Sequence, residues 1–246
     1  MVLSEAQKQF YWENGFLAVE NLIPQAQVIA MRNRIEELCD NWDSEAAKRV
    51  GIQQESQSGN PIAQQSSQTV RKFSNLTQYE KTFREHALNP ALVDAVADLI
   101  GTPLSLYADQ ALLKPPLYGS EKPPHQDNAY FGVSPADSVI TCWCALDDAT
   151  LENGCMHYIP GSHKLGLVEH EKIENTPHLV PPEFQKDKAV AAPVRAGGCV
   201  FHHALSLHMS PPNQTKLWRR AFVCHYVRSD AQMKRDAASL LQVRRS

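Results

Sequence analysis

The feature that most narrows the fold is a change of pattern near Leu104. Before it, apolar residues recur at helical spacing. After it, short apolar runs are separated by Pro, Gly and Asn. Pro24 can open a helix whose apolar positions Val28, Met31, Ile35 and Leu38 fall on one stripe. Asn89 and Pro90 form an N-cap and first-turn pair ahead of the stripe Leu92, Val93, Val96, Leu99 and Ile100, and Gly101 supplies a stop. Strands are expected at 104–114, 139–146, 155–159, 198–204 and 219–227. In the last, Arg219, Ala221, Val223, His225 and Val227 share one face and Arg220, Phe222, Cys224 and Tyr226 the other. Helices followed by several short strands predict an α+β chain built on a double-sheet jelly roll or cupin-like barrel, with the helices packed on one side. One domain is expected over 1–246, helical to about 103 with the barrel over 104–228.

Three segments read as additions to that core. Residues 53–68 are rich in Gln and Ser with Gly59 and Pro61 as breakers, which predicts a mobile loop, suited equally to a plain surface linker and to a lid over a site. Residues 165–193 form a long polar insertion between strands. The tail 228–246 carries Arg228, Lys234, Arg235, Arg244 and Arg245 against Asp230 and Asp236, and reads as a solvated helix or tail.

The 24 Lys and Arg against 27 Asp and Glu leave a net charge of −3, which offers no general attraction to nucleic acid or to an anionic membrane. No apolar run is long enough to span a bilayer, and the opening residues lack the basic-then-apolar pattern of a secretion signal, so a soluble, cytoplasmic protein is expected. Six cysteines without a C-x-x-C pair read as buried free thiols. The ten histidines are more telling, because several crowd into the second half.

His125-Gln126-Asp127 sets an imidazole and a carboxylate two residues apart, which on an extended strand aims both at one face. A second imidazole is available in the segment from Phe201 through His202, His203 and His208. Two His and one carboxylate on one side of a metal leave adjacent positions open, the arrangement of non-haem Fe(II) oxygenases, although a zinc hydrolase can use similar ligands. Arg219 follows His208 at the start of the last strand. A buried Arg beside a metal implies an anionic cosubstrate, since its planar fork matches a carboxylate; Arg220, on the opposite face, is the natural candidate for an exposed surface Arg. Of His202 and His203, a regular strand turns one inward and the other outward, with structural hydrogen bonding as the default role. The same default applies to His157 and His163. Tyr130 and Phe131 suit either a pocket lining or the core.

Taken together, Lys114-Pro115-Pro116, the run from Pro124 through His125, Gln126, Asp127, Asn128, Ala129 and Tyr130 to Phe131, Asn153-Gly154-Cys155, Ile159-Pro160-Gly161-Ser162-His163, and His208 through Asn213 to Arg219 resemble the phytanoyl-CoA dioxygenase family. The opening segment from Asn14 to Asn21 is similar to that family's own, and the likeness runs from about residue 7 to 228. The resemblance implies an Fe(II)- and 2-oxoglutarate-dependent oxygenase on a double-stranded β-helix, using O2 to oxidise a small organic molecule, with hydroxylation the favoured outcome. It carries the ligand set onto His125, Asp127 and His208 and the cosubstrate-binding Arg onto Arg219. Further contacts around 2-oxoglutarate fall on Lys72, Gln110, Trp143 and Ser210, Trp143 being equally suited to core filling. Met209 and Pro211-Pro212 depart from the family's Gly-containing turn. Asp127 speaks against halogenation, because related halogenases carry a small residue there. The family spans lipids, secondary metabolites and small polar compounds, and specificity is expected in residues 52–69, 117–122 and 165–193. A cupin-type metal-dependent hydrolase or isomerase, and a non-catalytic ligand-binding member, are the competing readings.

Overall fold

The computed structural model describes residues 2–58 and 65–245. Helix α1 (Glu5–Asn14) starts at a capping box in which Ser4 accepts from the Gln7 amide while the Gln7 side chain accepts from Ser4, and it stops at Gly15 with φ 82°. Only glycine fits there. A Cβ at Gly15 would lie 2.4 Å from both His163 Nδ1 and Ser206 Oγ. The tight turn lets β1 (Phe16–Val19) run directly back along the barrel.

Pro24 caps α2 (Gln25–Asp40), which buries Val28, Met31, Ile35 and Leu38 as the spacing predicts. After α3 (Glu45–Arg49) the expected loop at 53–68 carries regular structure in its described residues: β2 (Gln53–Gln54) and a 3-10 turn over Glu55–Ser58 lead in, and a second turn, Ser67–Thr69, leads out. Gly59 and Pro61 lie outside the described residues. Then come β3 (Val70–Ser74), the short helices α4 (Leu76–Tyr79) and α5 (Lys81–Ala87), and α6 (Pro90–Ile100), whose Asn89 side chain accepts from the Ala91 amide. The first hundred residues thus also contribute three strands, a departure from the nearly all-helical expectation.

The remaining strands are β4 (Leu104–Lys114), β5 (Lys122–His125), β6 (Val139–Ala145), β7 (Met156–Tyr158), β8 (Glu171–Lys172), β9 (Leu179–Val180), β10 (Val190–Ala192), β11 (Cys199–His203), β12 (His208–Ser210), β13 (Arg219–Arg228) and β14 (Leu241–Arg244). A short helix, α7 (Asn128–Phe131), follows β5. The larger sheet has the order β1-β11-β6-β13-β4-β3-β2, with β14 also on β4; the smaller has the order β10-β7-β12-β5. Both are antiparallel, a jelly roll with a helical layer on one sheet. The pairing of β14 corrects the expected solvated tail: Leu241 sits opposite Leu106, covering part of an edge that would otherwise expose unpaired backbone groups.

Alternation along β13 decides the layers. Phe222, Cys224 and Tyr226 pack with the helices, in the cluster that holds Met31, Ile35, Phe83 and Val96. Ala221 and Val223 pack between the sheets with Trp143, Tyr158, Val200 and Phe16. Each such fully buried large side chain contributes about 1.5–3 kcal/mol, so reversing the faces by a one-residue slip is strongly disfavoured. The inner face of the larger sheet therefore presents Gln110, Thr141, His202, Arg219 and His225 to the smaller sheet. Among the described residues, no helix is long and apolar enough to cross a membrane.

Candidate metal centre

His125 and His208 are register partners on β5 and β12, and that pairing alone brings their imidazoles together, with ring centroids 4.1 Å apart. Asp127 arrives differently from expectation. It is not on an extended strand: β5 ends at His125, and Asp127 (φ −59°, ψ −35°) is already turning into α7. The turn swings its carboxylate back over the two rings, so that Oδ1 lies 3.5 Å from His125 Nε2 and 3.7 Å from His208 Nε2. The ligand atoms of all three lie within 4.8 Å of one another, and all three residues are buried.

Each group is held in the form a metal needs. His125 Nδ1 donates to the Pro123 carbonyl at 2.8 Å and His208 Nδ1 to the Ser206 carbonyl at 2.9 Å, which leaves both Nε2 lone pairs facing inward. Burial pushes His125 down to about 4, with Lys122 adding to the fall, and pushes His208 well below the usual imidazole range, so both are neutral at pH 7. Burial alone would raise Asp127, but the imidazoles of His208, His125 and His202 outweigh it and hold the carboxyl ionised. Two neutral nitrogens and one carboxylate, converging without a fourth ligand among the described residues, suit a divalent transition metal with open positions.

The carboxylate is fixed from behind. Thr141 Oγ1 donates to Asp127 Oδ2 at 2.6 Å and His202 Nε2 donates to the same oxygen at 3.0 Å. His225 Nδ1 in turn donates to Thr141 Oγ1 at 2.8 Å, and Gln110 Nε2 donates to His225 Nε2 at 3.0 Å. Tyr158 donates to His202 Nδ1 at 2.9 Å. With Oδ2 so occupied, Oδ1 alone faces the imidazoles. His202 is therefore more than a structural histidine, whereas His203, bonded to Asp137 and to the Leu205 amide, is structural as expected. So are His157, donating to Cys155, and His163, donating to Trp12. The roles of Thr141, His225 and Tyr158 escaped the sequence reading. The alternation of β13, which puts His225 on the face of Arg219, was the signal available.

Arg219 and Arg220 meet opposite fates. Arg220 is not exposed: it lies under the helices, bonded through Nε and Nη2 to Asp147 at 2.7 and 3.0 Å and paired with Glu36. Arg219, 2% exposed, points between the sheets, and its Nε and Nη1 have no partner among the described residues. Its guanidinium stands 5.3 Å from the ring centroid of Trp143, whose own Nε1 is also buried and unpaired. Burial drives Arg219 down to about 10, still charged at pH 7. Lys114, its register partner, donates to the Ser120 and Ser210 carbonyls at 2.5 and 3.3 Å. Lys72 is opposite Leu112 on the inner side of β4. Gln126, between the ligands, anchors the 165–193 insertion by bonding Gly166, Val168 and His170. Tyr130 stands edge-on to His125 at 5.8 Å, and Phe131 edge-on to His225 at 4.8 Å.

The family profile described as Phytanoyl-CoA dioxygenase (PhyH) matches residues 11–221. This chain belongs to that family. A relative named "Probable phytanoyl-CoA dioxygenase" from Caenorhabditis elegans is 30% identical over 241 residues, 93% of this chain and 77% of its own length. The fold is that of a solved non-heme monooxygenase, ThoJ (TM-score 0.79, 24% identity, 98% of this chain and 84% of that one). It is similar also to SnoK, a non-heme alpha ketoglutarate dependent carbocyclase from nogalamycin biosynthesis (TM-score 0.71, 26% identity, 94% and 86% covered). Membership of the phytanoyl-CoA dioxygenase family makes the chain a 2-oxoglutarate-dependent oxygenase, with Fe(II) as cofactor and 2-oxoglutarate and O2 as cosubstrates. The residues present fit that chemistry: a three-ligand cluster, and a buried guanidinium that lacks an anion.

Proposed function

We propose that this chain is an Fe(II)- and 2-oxoglutarate-dependent dioxygenase that hydroxylates, or otherwise oxidises, a small organic molecule. His125, Asp127 and His208 hold the metal, and Arg219 takes the far carboxylate of 2-oxoglutarate. The observation that carries the reading is Arg219, a fully buried cation with two unpaired donors on the same inner face as the residues that brace Asp127. A hydrolase using the same three ligands has no use for it.

Bound iron and 2-oxoglutarate supply the oxidising power, O2 being consumed as the cosubstrate is split to succinate and CO2. The protein's own contribution is positional. Pro123 and Ser206 carbonyls orient the imidazoles, while Thr141 and His202 keep Asp127 to a single ligating oxygen. Trp143 and Ser210 line the approach to Arg219, and Lys72 adds positive charge on the same inner side. Gln110 acts at one remove, through His225. The carboxylate of Asp127 fills the position that a halide would need, which favours hydroxylation; SnoK's name shows that oxidative ring formation is compatible with a related fold. Six buried free thiols accord with a reducing, cytoplasmic setting.

The test is conversion of 2-oxoglutarate to succinate by purified protein with Fe(II) and ascorbate, without added substrate. Slow, iron-dependent turnover that disappears in Asp127→Ala is expected. Normal succinate release from that variant would remove Asp127 from the ligand set, and no release from the wild type would return the hydrolase and non-catalytic readings.

A further inference from the structure

Three of the sequence motifs, Lys114-Pro115-Pro116, Asn153-Gly154-Cys155 and the run from His208 through Asn213 to Arg219, meet around one side chain to which the oxygenase reading gives no task. Lys114 ends β4 and is only 4% exposed. The chain folds straight back over it: the Gly119 amide donates to the Pro115 carbonyl at 2.9 Å, and a Cβ at Gly119 would lie 2.5 Å from Lys114 Cβ. Farther along the stem, a Cβ at Gly154 would lie 3.0 Å from Lys114 Cδ and 2.3 Å from the Pro211 carbonyl oxygen. Asn213 Nδ2 closes the backbone around this slot by donating to the Lys114 and Pro115 carbonyls at 3.0 and 3.2 Å. Two glycines and an asparagine thus make room for a long side chain and fix its path.

The slot delivers the ammonium to the carbonyls of Ser120, at 2.5 Å, and Ser210, at 3.3 Å. Both acceptors are neutral, so they solvate the charge without cancelling it, and no carboxylate of a described residue forms an ion pair with Lys114. Ser210 ends β12, the strand that begins with the metal ligand His208. On the other side, Lys114 and Arg219 are direct register partners on neighbouring antiparallel strands. Side chains so placed share a face, with Cβ atoms about 4.5–5.5 Å apart, and like charges there oppose folding. Burial and then Arg219 accordingly pull Lys114 well below the usual ammonium range, against Glu55. Two buried cations side by side, neither paired with a carboxylate among the described residues, are held at a cost that an arriving anion relieves.

We propose that Lys114 is a positioning residue of the cosubstrate pocket: it holds the end of β12 through the Ser210 carbonyl and sets a second positive charge behind Arg219, so that a dicarboxylate is selected over a 2-oxo monoacid. The inference rests on the oxygenase reading for the identity of the anion, and on the slot and the register pair for the role of the lysine.

Calorimetric titration of the Mn(II)-loaded protein with 2-oxoglutarate and with 2-oxopentanoate, which keeps the chelating end but replaces the far carboxylate with a methyl group, tests it. Lys114→Met preserves the stem and removes the charge. It should weaken 2-oxoglutarate binding roughly tenfold and leave 2-oxopentanoate within about twofold of the wild type, because only the far carboxylate feels the lost charge. Lys114→Gln, which retains a donor for the carbonyls, should show the same split, and this keeps a defect in backbone support from imitating a lost charge. Mn(II) affinity should stay at the wild-type value in both, since none of the three ligands is touched. Equal weakening of the two 2-oxo acids would make Lys114 a purely structural residue and overturn the proposal, as would wild-type binding of both, or failure of both variants to fold. A wild type that binds neither acid would instead sink the oxygenase reading, a separate result in the same series.

Discussion

Replacing Arg219 with Leu should move stability and ligand affinity in opposite directions. The guanidinium is 2% exposed and unpaired at Nε and Nη1, and burial takes it down to about 10. From an ordinary value above 12, that is a more than hundredfold loss of proton affinity, or about 3 kcal/mol set against the folded state. An apolar side chain among Trp143, Ala221 and Val223 escapes that penalty but leaves some unfilled volume, so the metal-free variant should be as stable as the wild type or up to about 2 kcal/mol more stable. The carboxylate that Arg219 would have met then has no partner in a dry site, which costs about 2–5 kcal/mol and raises the dissociation constant of 2-oxoglutarate at least thirtyfold. Urea unfolding after chelation gives the first quantity; 2-oxoglutarate titration of Mn(II)-loaded protein gives the second. A variant that loses several kcal/mol of stability yet binds 2-oxoglutarate normally would show that Arg219 is a structural cation, and would remove the main support for the proposed function.

Other consequences follow from the same geometry. Thr141→Val or His202→Phe removes one of the two donors to Asp127 Oδ2 and should weaken Mn(II) binding by roughly 10–100-fold while all three ligands remain; an unchanged dissociation constant would mean that these bonds do not orient the carboxylate. Stripping the metal should lower the melting temperature, since a metal present at about a hundred times its dissociation constant adds about 2.7 kcal/mol, and Asp127→Ala should abolish that difference between loaded and chelated protein. His86, fully buried with both ring nitrogens unpaired, is driven to about 3 by burial. The unfolded chain, with an imidazole near 6.5, binds the proton more readily, so stability is complete above that pH and is lost progressively down to about 3. His86 alone should remove about 2 kcal/mol by pH 5; His86→Phe should flatten the acid limb of a urea-unfolding series by that amount, and an unaltered limb would place the proton elsewhere.

The parts of this molecule that were legible in the sequence are those set by local chemistry. Pro24 and Asn89 cap helices because caps answer to the residues beside them, and β4 and β13 declare themselves through long alternating runs. What escaped depends on distant pairing. Phe16–Val19 becomes a strand because β11 offers an edge nearly two hundred residues away, and Leu241–Arg244 because β4 does. The likeness of ordered motifs pointed to His125, Asp127 and His208, yet the backbone turn that carries Asp127 onto the two rings has no signature in a His-x-Asp spacing. His202 and Thr141 are likewise invisible as partners until register sets them opposite each other on β11 and β6.

Arg219 and Arg220 show how function separates from stability along one strand. Adjacent in sequence and both buried, they differ by the face that the pleat assigns. On the helix side, Arg220 finds two carboxylates and ties α2 to the sheet through Glu36 and Asp147. Between the sheets, Arg219 meets an indole, and no carboxylate among the described residues bonds its Nε or Nη1. Folding favours filling the second position with an apolar residue, as Ala221 and Val223 fill the next two on that face. A permanent charge kept there acts against stability by a margin that a bound anion would offset, and on the proposed reading that anion is the far carboxylate of 2-oxoglutarate. Exchanging the two environments tests that logic: Asp147→Asn should destabilise the fold with little change in 2-oxoglutarate affinity, the reverse of Arg219→Leu, and a parallel response of the two variants would undo the distinction between the faces.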